Sequence, residues 1–485
     1  MIFLTFVRDT LENMEDSGCK IPRFFIGNPH QKPIVQSSMY ILSEFAYNKL
    51  MPYTAKVRGD IMIKRDYYLN RLIHNMWNGE IKVITVIRRC GKSVLLFDLF
   101  YEYLLSQGVK EEQIIRLELD QRRNYKYRNP ITLCDYVDSI VSTRKDEKFY
   151  LFIDEVQFTI KVKDEENAGI EVTIYDMLNE LKAYKNLDVY VTGSNSKMLS
   201  KDTATEFRGR ATQIHVYPLS FDEFYAYVGG EKKTALDQYM LYGGMPRILA
   251  LEDEKDKKAY LSNLYEELYV KDIVERNKLE RKDILNAILD FIASQIGSLT
   301  NPTNIANALT SMRHEPVNNN LVSSYLTHTM DAFLIERARR YDVKGKTYFN
   351  YTNKYYYTDL GLRNARLNYR QYDQGHIMEN IIYNELVKRG YSVDVGVVTE
   401  RKNDERIQRE IDFVVNDGDR RIYIQSAYQM DTEQKAETEL QSLKLTGDFF
   451  KKIVIRMDIP HNFYDNNGFY HCNLIDFLLG TTTLF

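Results

Sequence analysis

The sequence predicts an α/β chain: a mostly parallel sheet wound by helices, then a helical block, then a second α/β segment. Two observations carry this. Between residues 81 and 217, short apolar runs recur at 81–87, 114–120, 149–153, 189–192 and 214–217, with helical stretches such as 174–185 between them. Strands alternating with helices in this way are the pattern of βαβ units. Beyond the charged cluster at 252–258 the period turns helical, and strands return only later, near 338–341, 347–357, 393–398, 411–415, 422–424 and 453–456.

Composition sets the class. The 485 residues are 44% hydrophobic and 27% charged, with 10 Pro and 23 Gly, which fits a soluble globular chain of two to four domains. A net charge of -3 argues against coating nucleic acid through overall charge, so any such contact has to be local. The four cysteines (Cys19, Cys90, Cys134 and Cys472) form no CxxC pair, which speaks against a zinc or disulfide framework and for a reducing cytoplasm. No apolar run reaches the ~18–20 residues that span a bilayer. Residues 1–61 show no sustained period and read as an accessory or poorly ordered extension, or as a stretch ahead of the natural start. Segments 62–250, 251–365 and 366–485 are the expected domains.

The clearest chemistry sits where the first strand meets its helix. Val86-Ile87-Arg88-Arg89-Cys90-Gly91-Lys92-Ser93 matches the phosphate-loop pattern G-x-x-x-x-G-K-[ST] except at its first position, where Val86 stands for glycine. Gly91 lets the backbone curl so that successive N–H groups face phosphate oxygens. Lys92 reaches the β and γ oxygens, and the Ser93 hydroxyl ligates Mg²⁺. A helix opening at Ser93 adds the positive end of its dipole. Val86 is the departure. A β-branched side chain resists unusual backbone angles, so the site suffers if the loop turns there and is spared if Val86 simply ends a strand.

Tyr150-Leu151-Phe152-Ile153-Asp154-Glu155 is an apolar strand ending in two acids, the Walker B pattern. Asp154 is expected to hold Mg²⁺ through water and Glu155 to polarise the attacking water. The following strand ends in Thr192-Gly193-Ser194-Asn195-Ser196, where Asn195 is the expected contact to the γ-phosphate or the water. An ordinary polar turn is the competing reading. Arg208-Gly209-Arg210 offers the guanidinium groups an arginine finger needs, or else a solvated pair. ATP and Mg²⁺ are the expected cofactors.

In the middle block, three helical stretches followed by a hairpin follow the order of a winged helix, with 318–330 as its recognition helix. The hairpin carries Arg337, Arg339, Arg340, Lys344, Lys346 and Lys354 among Tyr341, Tyr348, Tyr351 and Tyr355-Tyr356-Tyr357. Such a surface could contact phosphates and stack bases. The competing reading packs the tyrosines against the last domain and leaves the lysines solvated. It is the preferred one, and the recognition helix is poor in Lys and Arg, which weakens direct base readout.

Several of these motifs together resemble a prokaryotic group of AAA-type ATPases with a C-terminal domain of unknown function. They are Lys82-Val83-Ile84-Thr85 leading into Arg88-Arg89-Cys90-Gly91-Lys92-Ser93, Leu151-Phe152-Ile153-Asp154-Glu155-Val156-Gln157, Thr192-Gly193-Ser194-Asn195-Ser196, Arg208-Gly209-Arg210 with Pro218-Leu219-Ser220-Phe221, and Tyr242-Gly243-Gly244-Met245-Pro246. The resemblance covers roughly residue 62 to the C-terminus. It implies a P-loop NTPase fold of the AAA/ASCE type for 62–250 and a restriction-endonuclease-like α/β fold for 366–485. Such nucleases gather a Glu, an Asp and an E-x-K triplet around Mg²⁺. Glu379 and Asp412 match the first two, while Gln425-Ser426-Ala427 stands for the third. Gln is a weak ligand and Ala cannot replace lysine, so a catalytically degenerate domain is expected.

Three functional readings follow. The first is a Mg²⁺-dependent ATPase acting as a nucleotide-driven switch, with a DNA or protein partner met through the winged helix and C-terminal domain. The second is a module that holds nucleotide without turnover and recruits such partners. The third, least supported, is a Mg²⁺ nuclease. The oligomeric state stays open.

Overall fold

The computed structural model describes residues 63–163, 169, 171–193, 211–402, 405–482 and 484. The extension 1–61 and the expected site residues Asn195, Arg208 and Arg210 lie outside the described residues.

The N-terminal half is built as its apolar runs require. After helix α1 (Asp66–His74) come β1 (Ile81–Val86), β2 (Ile114–Glu118) and β3 (Phe149–Asp154). A two-residue ladder of β4 (Val162–Lys163) and β5 (Glu171–Val172) follows, which the sequence did not signal, and then β6 (Leu187–Gly193) and β7 (Ala211–Val216). The five long strands are all parallel, in the order β2-β3-β6-β1-β7. Every residue of β3 and β6 is buried, which is why 149–153 and 189–191 read as apolar runs. Side chains alternate between two cores: Ile84, Phe152, Tyr190 and Ile214 enter one cluster, and Val83, Leu151, Val189 and Val191 the other. Lys82 is fully buried in β1, and its ammonium pairs with Asp188 of β6. The second oxygen of Asp188 accepts from Tyr190 at 2.8 Å and from the Trp77 backbone N–H at 3.0 Å.

The helices start where their caps place them. Behind the phosphate loop a π-helical stretch, Val94–Phe100, runs into α2 (Tyr101–Ser106). Helix α3 (Pro130–Val141) opens at Asn129, whose side chain accepts from Ile131 N–H at 3.0 Å, with Pro130 in its first turn. Helices α4 (Ile174–Leu181) and α5 (Phe221–Val228) begin at the capping boxes Thr173/Asp176 and Ser220/Glu223.

The second half continues through α6 (Lys232–Tyr242), α7 (Glu254–Asn263), a π-helical turn Leu264–Val270, α8 (Lys271–Asn277), α9 (Lys282–Ser294), α10 (Pro302–Arg313) and α11 (Asn319–Asp331). The hairpin β8 (Ile335–Asp342) and β9 (Thr347–Tyr357) precedes α12 (Leu360–Arg366) and α13 (Gln374–Lys388). The chain ends with β10 (Ser392–Lys402), β11 (Glu405–Asp417), β12 (Arg420–Ala427), α14 (Glu433–Lys444), β13 (Lys451–Arg456), β14 (Phe463–Tyr464), β15 (Tyr470–Asn473) and α15 (Leu474–Leu478).

Here the sequence expectation needs correction. The hairpin expected as a separate wing belongs to an eight-stranded sheet, in the order β14-β15-β13-β12-β11-β10-β8-β9. β8 pairs in parallel with β10, Arg340 opposite Val395 and Tyr341 opposite Gly396. The backbone groups on the outer edge of β8 need partners, and β10 supplies them. The sheet therefore draws strands from both sides of the expected 365/366 boundary. Tyr355, Tyr356 and Tyr357 are buried, as the packing reading expects, but Lys354 is buried too, a correction to both readings, which leave the hairpin lysines at the surface.

Two of the motifs noted in the sequence meet in space. Leu219 N–H donates to the Gly244 carbonyl at 2.8 Å, and Gly244 N–H donates to Asp359 Oδ2 at 2.7 Å. Gly243 has φ +72°, and a Cβ on Gly244 would overlap the Leu219 carbonyl, so both positions require glycine. Asp359 also caps α12 through Leu362 N–H at 3.0 Å. Burial pushes its carboxyl up to about 6, against the pull of these backbone donors. Among the described residues, no helix is long and apolar enough to cross a membrane.

Candidate functional site

β6 stands between β1 and β3, so the phosphate loop at the end of β1 faces the acids at the end of β3 across one strand. Ser93 Oγ donates to Asp154 Oδ2 at 2.8 Å. Lys92 Nζ pairs with Glu155 and lies 3.7 Å from Asp154 Oδ1. Burial lowers the Lys92 ammonium to about 8, although Asp154 pulls the other way. Thr192, at the end of β6, donates its hydroxyl to Asp154 and accepts from Glu155 N–H at 3.2 Å. Glu155 itself takes the left-handed backbone, φ 56°, which turns the chain sharply after the strand, and it accepts from Gln157. Non-glycine residues rarely hold this conformation, and here it sits at the residue expected to handle the water.

Val86 is the last residue of β1, in register with Val216 of β7. The left-handed angles of the loop fall instead at Arg89, φ 67°, and Gly91, φ 87°. The turn that would have demanded glycine lies three residues further on.

The back of the loop is braced. Tyr269 donates its hydroxyl to the Arg88 carbonyl at 3.0 Å, and the Arg88 guanidinium pairs with Asp272 at 2.6 Å. Arg65 donates to the Cys90 carbonyl at 3.2 Å and pairs with Glu223 at 3.0 Å. Cys90 is fully buried, with its sulfur 3.8 Å from that of Met245, and burial raises its thiol far above the usual range, so it is a packing residue. The helical segment 264–277 thus touches the phosphate loop directly, a link the sequence did not signal.

A second cluster lies in the C-terminal sheet. Glu379 on α13 and Asp412 on β11 do come close, joined by Glu410, and at their centre stands Lys354 of β9. Its Nζ lies 2.7 Å from Glu379 Oε1, 2.6 Å from Glu410 Oε1 and 3.6 Å from Asp412 Oδ1. Tyr356 donates to Glu379 Oε1 at 2.6 Å, and Ser426 N–H donates to Asp412 Oδ2 at 2.8 Å. Burial works to raise the Glu379 carboxyl, yet Lys354 and the hydrogen bonds around it leave it lowered. Asp412 is raised well above the carboxylate range by burial and by the Glu379 charge. Gln425 and Asp412 sit one residue beyond the Phe413–Ile424 pair, and Gln425 donates to Glu439 at 3.3 Å. Sequence reasoning missed Lys354 and Glu410. Glu410 could have been found from its spacing to Asp412, since residues two apart share a strand face. Lys354 could not, because it looked like one of several wing lysines.

Comparison with known proteins agrees with the first site. An AAA domain profile matches residues 78–225, and two profiles described as domains of unknown function match 233–373 and 374–468. An uncharacterized protein of Haemophilus influenzae is 34% identical over 401 residues, covering 81% of this chain and 93% of that protein. One from Methanocaldococcus jannaschii is 27% identical over 435 residues, covering 84% and 86%. Among solved structures, Cdc6p of Pyrobaculum aerophilum is similar at 12% identity and TM-score 0.25, covering 74% of this chain and 97% of that one. The ORC1 protein of Aeropyrum pernix in complex with DNA is similar at 11% identity and TM-score 0.26, covering 66% and 96%. Scores at that level support no transfer of function. With its phosphate loop and acidic strand inside the matched AAA region, this chain carries an AAA-type P-loop domain followed by two domains of unknown function, and it belongs to the family of the Haemophilus influenzae protein.

Proposed function

We propose that the chain is an ATPase that works as a nucleotide-driven switch. The observation that carries the reading is the facing pair of motifs: Gly91-Lys92-Ser93 at the end of β1 and Asp154-Glu155 at the end of β3, already bonded to each other. Lys92 holds the β and γ phosphates, and the N–H groups of 87–93 with the following helix start receive the remaining charge. Ser93 and Asp154 are the oxygen donors suited to Mg²⁺, which when bound neutralises phosphate charge. Glu155 orients the attacking water and takes its proton. Asn195 as the γ-phosphate contact and Arg208 or Arg210 as a finger from a neighbouring copy complete the reading.

The switch follows from the bracing. Phosphate entering the loop draws Lys92 from Glu155 and reshapes the backbone at Arg88, which Tyr269 and Asp272 hold from the next helices. The output passes to a protein or DNA partner in the cytoplasm. The hairpin's outward cations for such contact are Arg337, Arg339, Lys344 and Lys346. Steady-state phosphate release with Mg-ATP, on the native chain and its Val86→Gly and Glu155→Gln forms, tests this. Turnover lost with Glu155→Gln supports an ATPase. Turnover that appears only with Val86→Gly points to the second reading, a nucleotide-holding module.

A further inference from the structure

The fold implied by the resemblance would put a divalent metal among Glu379, Asp412 and the residue at 425. Carboxylates converge here, with α13 giving Glu379, β11 giving Glu410 and Asp412, and Gln425 adjoining Asp412, yet among the described residues no group of His, Cys, Asp or Glu is placed to hold a metal ion. Their centre is filled by nitrogen. Lys354 is 2% exposed, and its ammonium reaches three carboxylates, two of them within 2.7 Å. A hard divalent cation needs its oxygen ligands at roughly 2.0–2.6 Å, and it cannot share that space with an ammonium. The strand that delivers Lys354 is fixed. Tyr356, two residues along on the same face, bonds the same Glu379 oxygen, and Asn380 of α13 exchanges two 2.8 Å hydrogen bonds with the Tyr357 backbone. The residues do not fit a metal.

We propose that Lys354 is the permanent cation of this site, standing where a nuclease would hold its metal, and that the cluster clamps the β8–β9 hairpin to α13 and β11 instead of cutting phosphodiesters. The ammonium supplies the positive charge that three converging carboxylates require, and it is supplied by the chain itself. Gln425, which adjoins Asp412, has its Oε1 buried without a hydrogen-bond partner. Taking away the lysine side chain should therefore open a set of oxygens able to accept a divalent ion.

The test titrates Mn²⁺ into the full chain without nucleotide, with Asp154→Asn throughout so that the phosphate loop does not contribute. Bound Mn²⁺ is read by electron paramagnetic resonance. The Lys354 form and Lys354→Arg should bind no Mn²⁺ at this cluster. Lys354→Ala should bind one equivalent, lost again with Glu379→Gln or Asp412→Asn, and its unfolding midpoint should rise with Mn²⁺. Two results overturn the proposal: Mn²⁺ bound by the Lys354 form and lost with Glu379→Gln, or a folded Lys354→Ala that binds none. If Lys354→Ala does not fold, the native side chain decides. Its slowly exchanging ¹⁵N ammonium resonance stays sharp in stoichiometric Mn²⁺ if the lysine owns the site. Broadening that disappears in Glu379→Gln, or Mn²⁺-dependent DNA cleavage that does so, refutes it. None of these readouts depends on ATP turnover.

Discussion

The proposed function gives Lys92 two roles that exclude each other. Its ammonium pairs with Glu155 and sits 3.7 Å from Asp154, and on the proposed reading bound ATP would draw it to phosphate instead. Glu155→Gln removes the stronger competing charge and keeps the shape. Both side chains are less than a fifth exposed, at 12% and 18%, so solvent screens the pair only partly. A hydrogen bond to a charged group contributes roughly 1.5–3 kcal/mol, which at about 1.4 kcal/mol per decade is a roughly 10- to 100-fold tighter Kd for ATP. Turnover should fall by roughly 10²–10⁴ in the same variant, the range for a lost general base. Calorimetric titration with ATP, beside phosphate release, measures both. If Glu155→Gln stops turnover and leaves the Kd unchanged, the ion pair does not compete with nucleotide. A Lys92→Ala form that binds ATP as the native chain does would sink the loop assignment itself.

Other perturbations test other links. Val86→Gly should leave turnover unchanged and cost about 1 kcal/mol in urea denaturation, because glycine weakens a strand end and the left-handed angles lie at Arg89 and Gly91. Lys82→Met strands a buried Asp188 carboxylate, and a loss of roughly 3–5 kcal/mol is expected. The fluorescence of Trp77, the only tryptophan and bonded to Asp188, reports that unfolding. Asp359 gives a pH dependence. Its carboxyl stands at about 6 folded against 3.8 ordinarily, so its stabilising contribution is complete below about pH 4 and lost as pH rises through 6. At 1.36 kcal/mol per pKa unit this is ~3 kcal/mol. Asp359→Asn should flatten unfolding free energy between those pH values, and an unchanged slope would reject the assignment.

The phosphate-loop and acidic-strand motifs were legible because each is local. Gly91, Lys92 and Ser93 are consecutive, as are Asp154 and Glu155, and the apolar runs ahead of them fix the strands that carry them. Val86 could be weighed but not decided from sequence, because its cost depends on which residue of the loop turns left-handed, a property of the folded backbone. The C-terminal half was read less well for a physical reason. The β8–β10 pairing joins residues more than fifty positions apart across a strand and two helices, and nothing in the alternation of either strand announces its neighbour. Lys354 looked like a surface cation beside tyrosines. Only the fold, which brings Glu379, Glu410 and Asp412 around it, makes it a core residue. The brace from Tyr269 and Asp272 to Arg88 was hidden likewise.

The shared eight-stranded sheet bears on how this chain can be divided. The two C-terminal family matches meet at 373/374, which invites expression of either piece alone. A fragment starting there would lose β8 and β9, leave one side of β10 as an open hydrogen-bonding edge, and keep three carboxylates without their lysine. Open edges of this kind pair with other molecules and promote aggregation. The sequence families are thus two, but they share one eight-stranded sheet, and a fragment boundary chosen at their junction would divide that sheet.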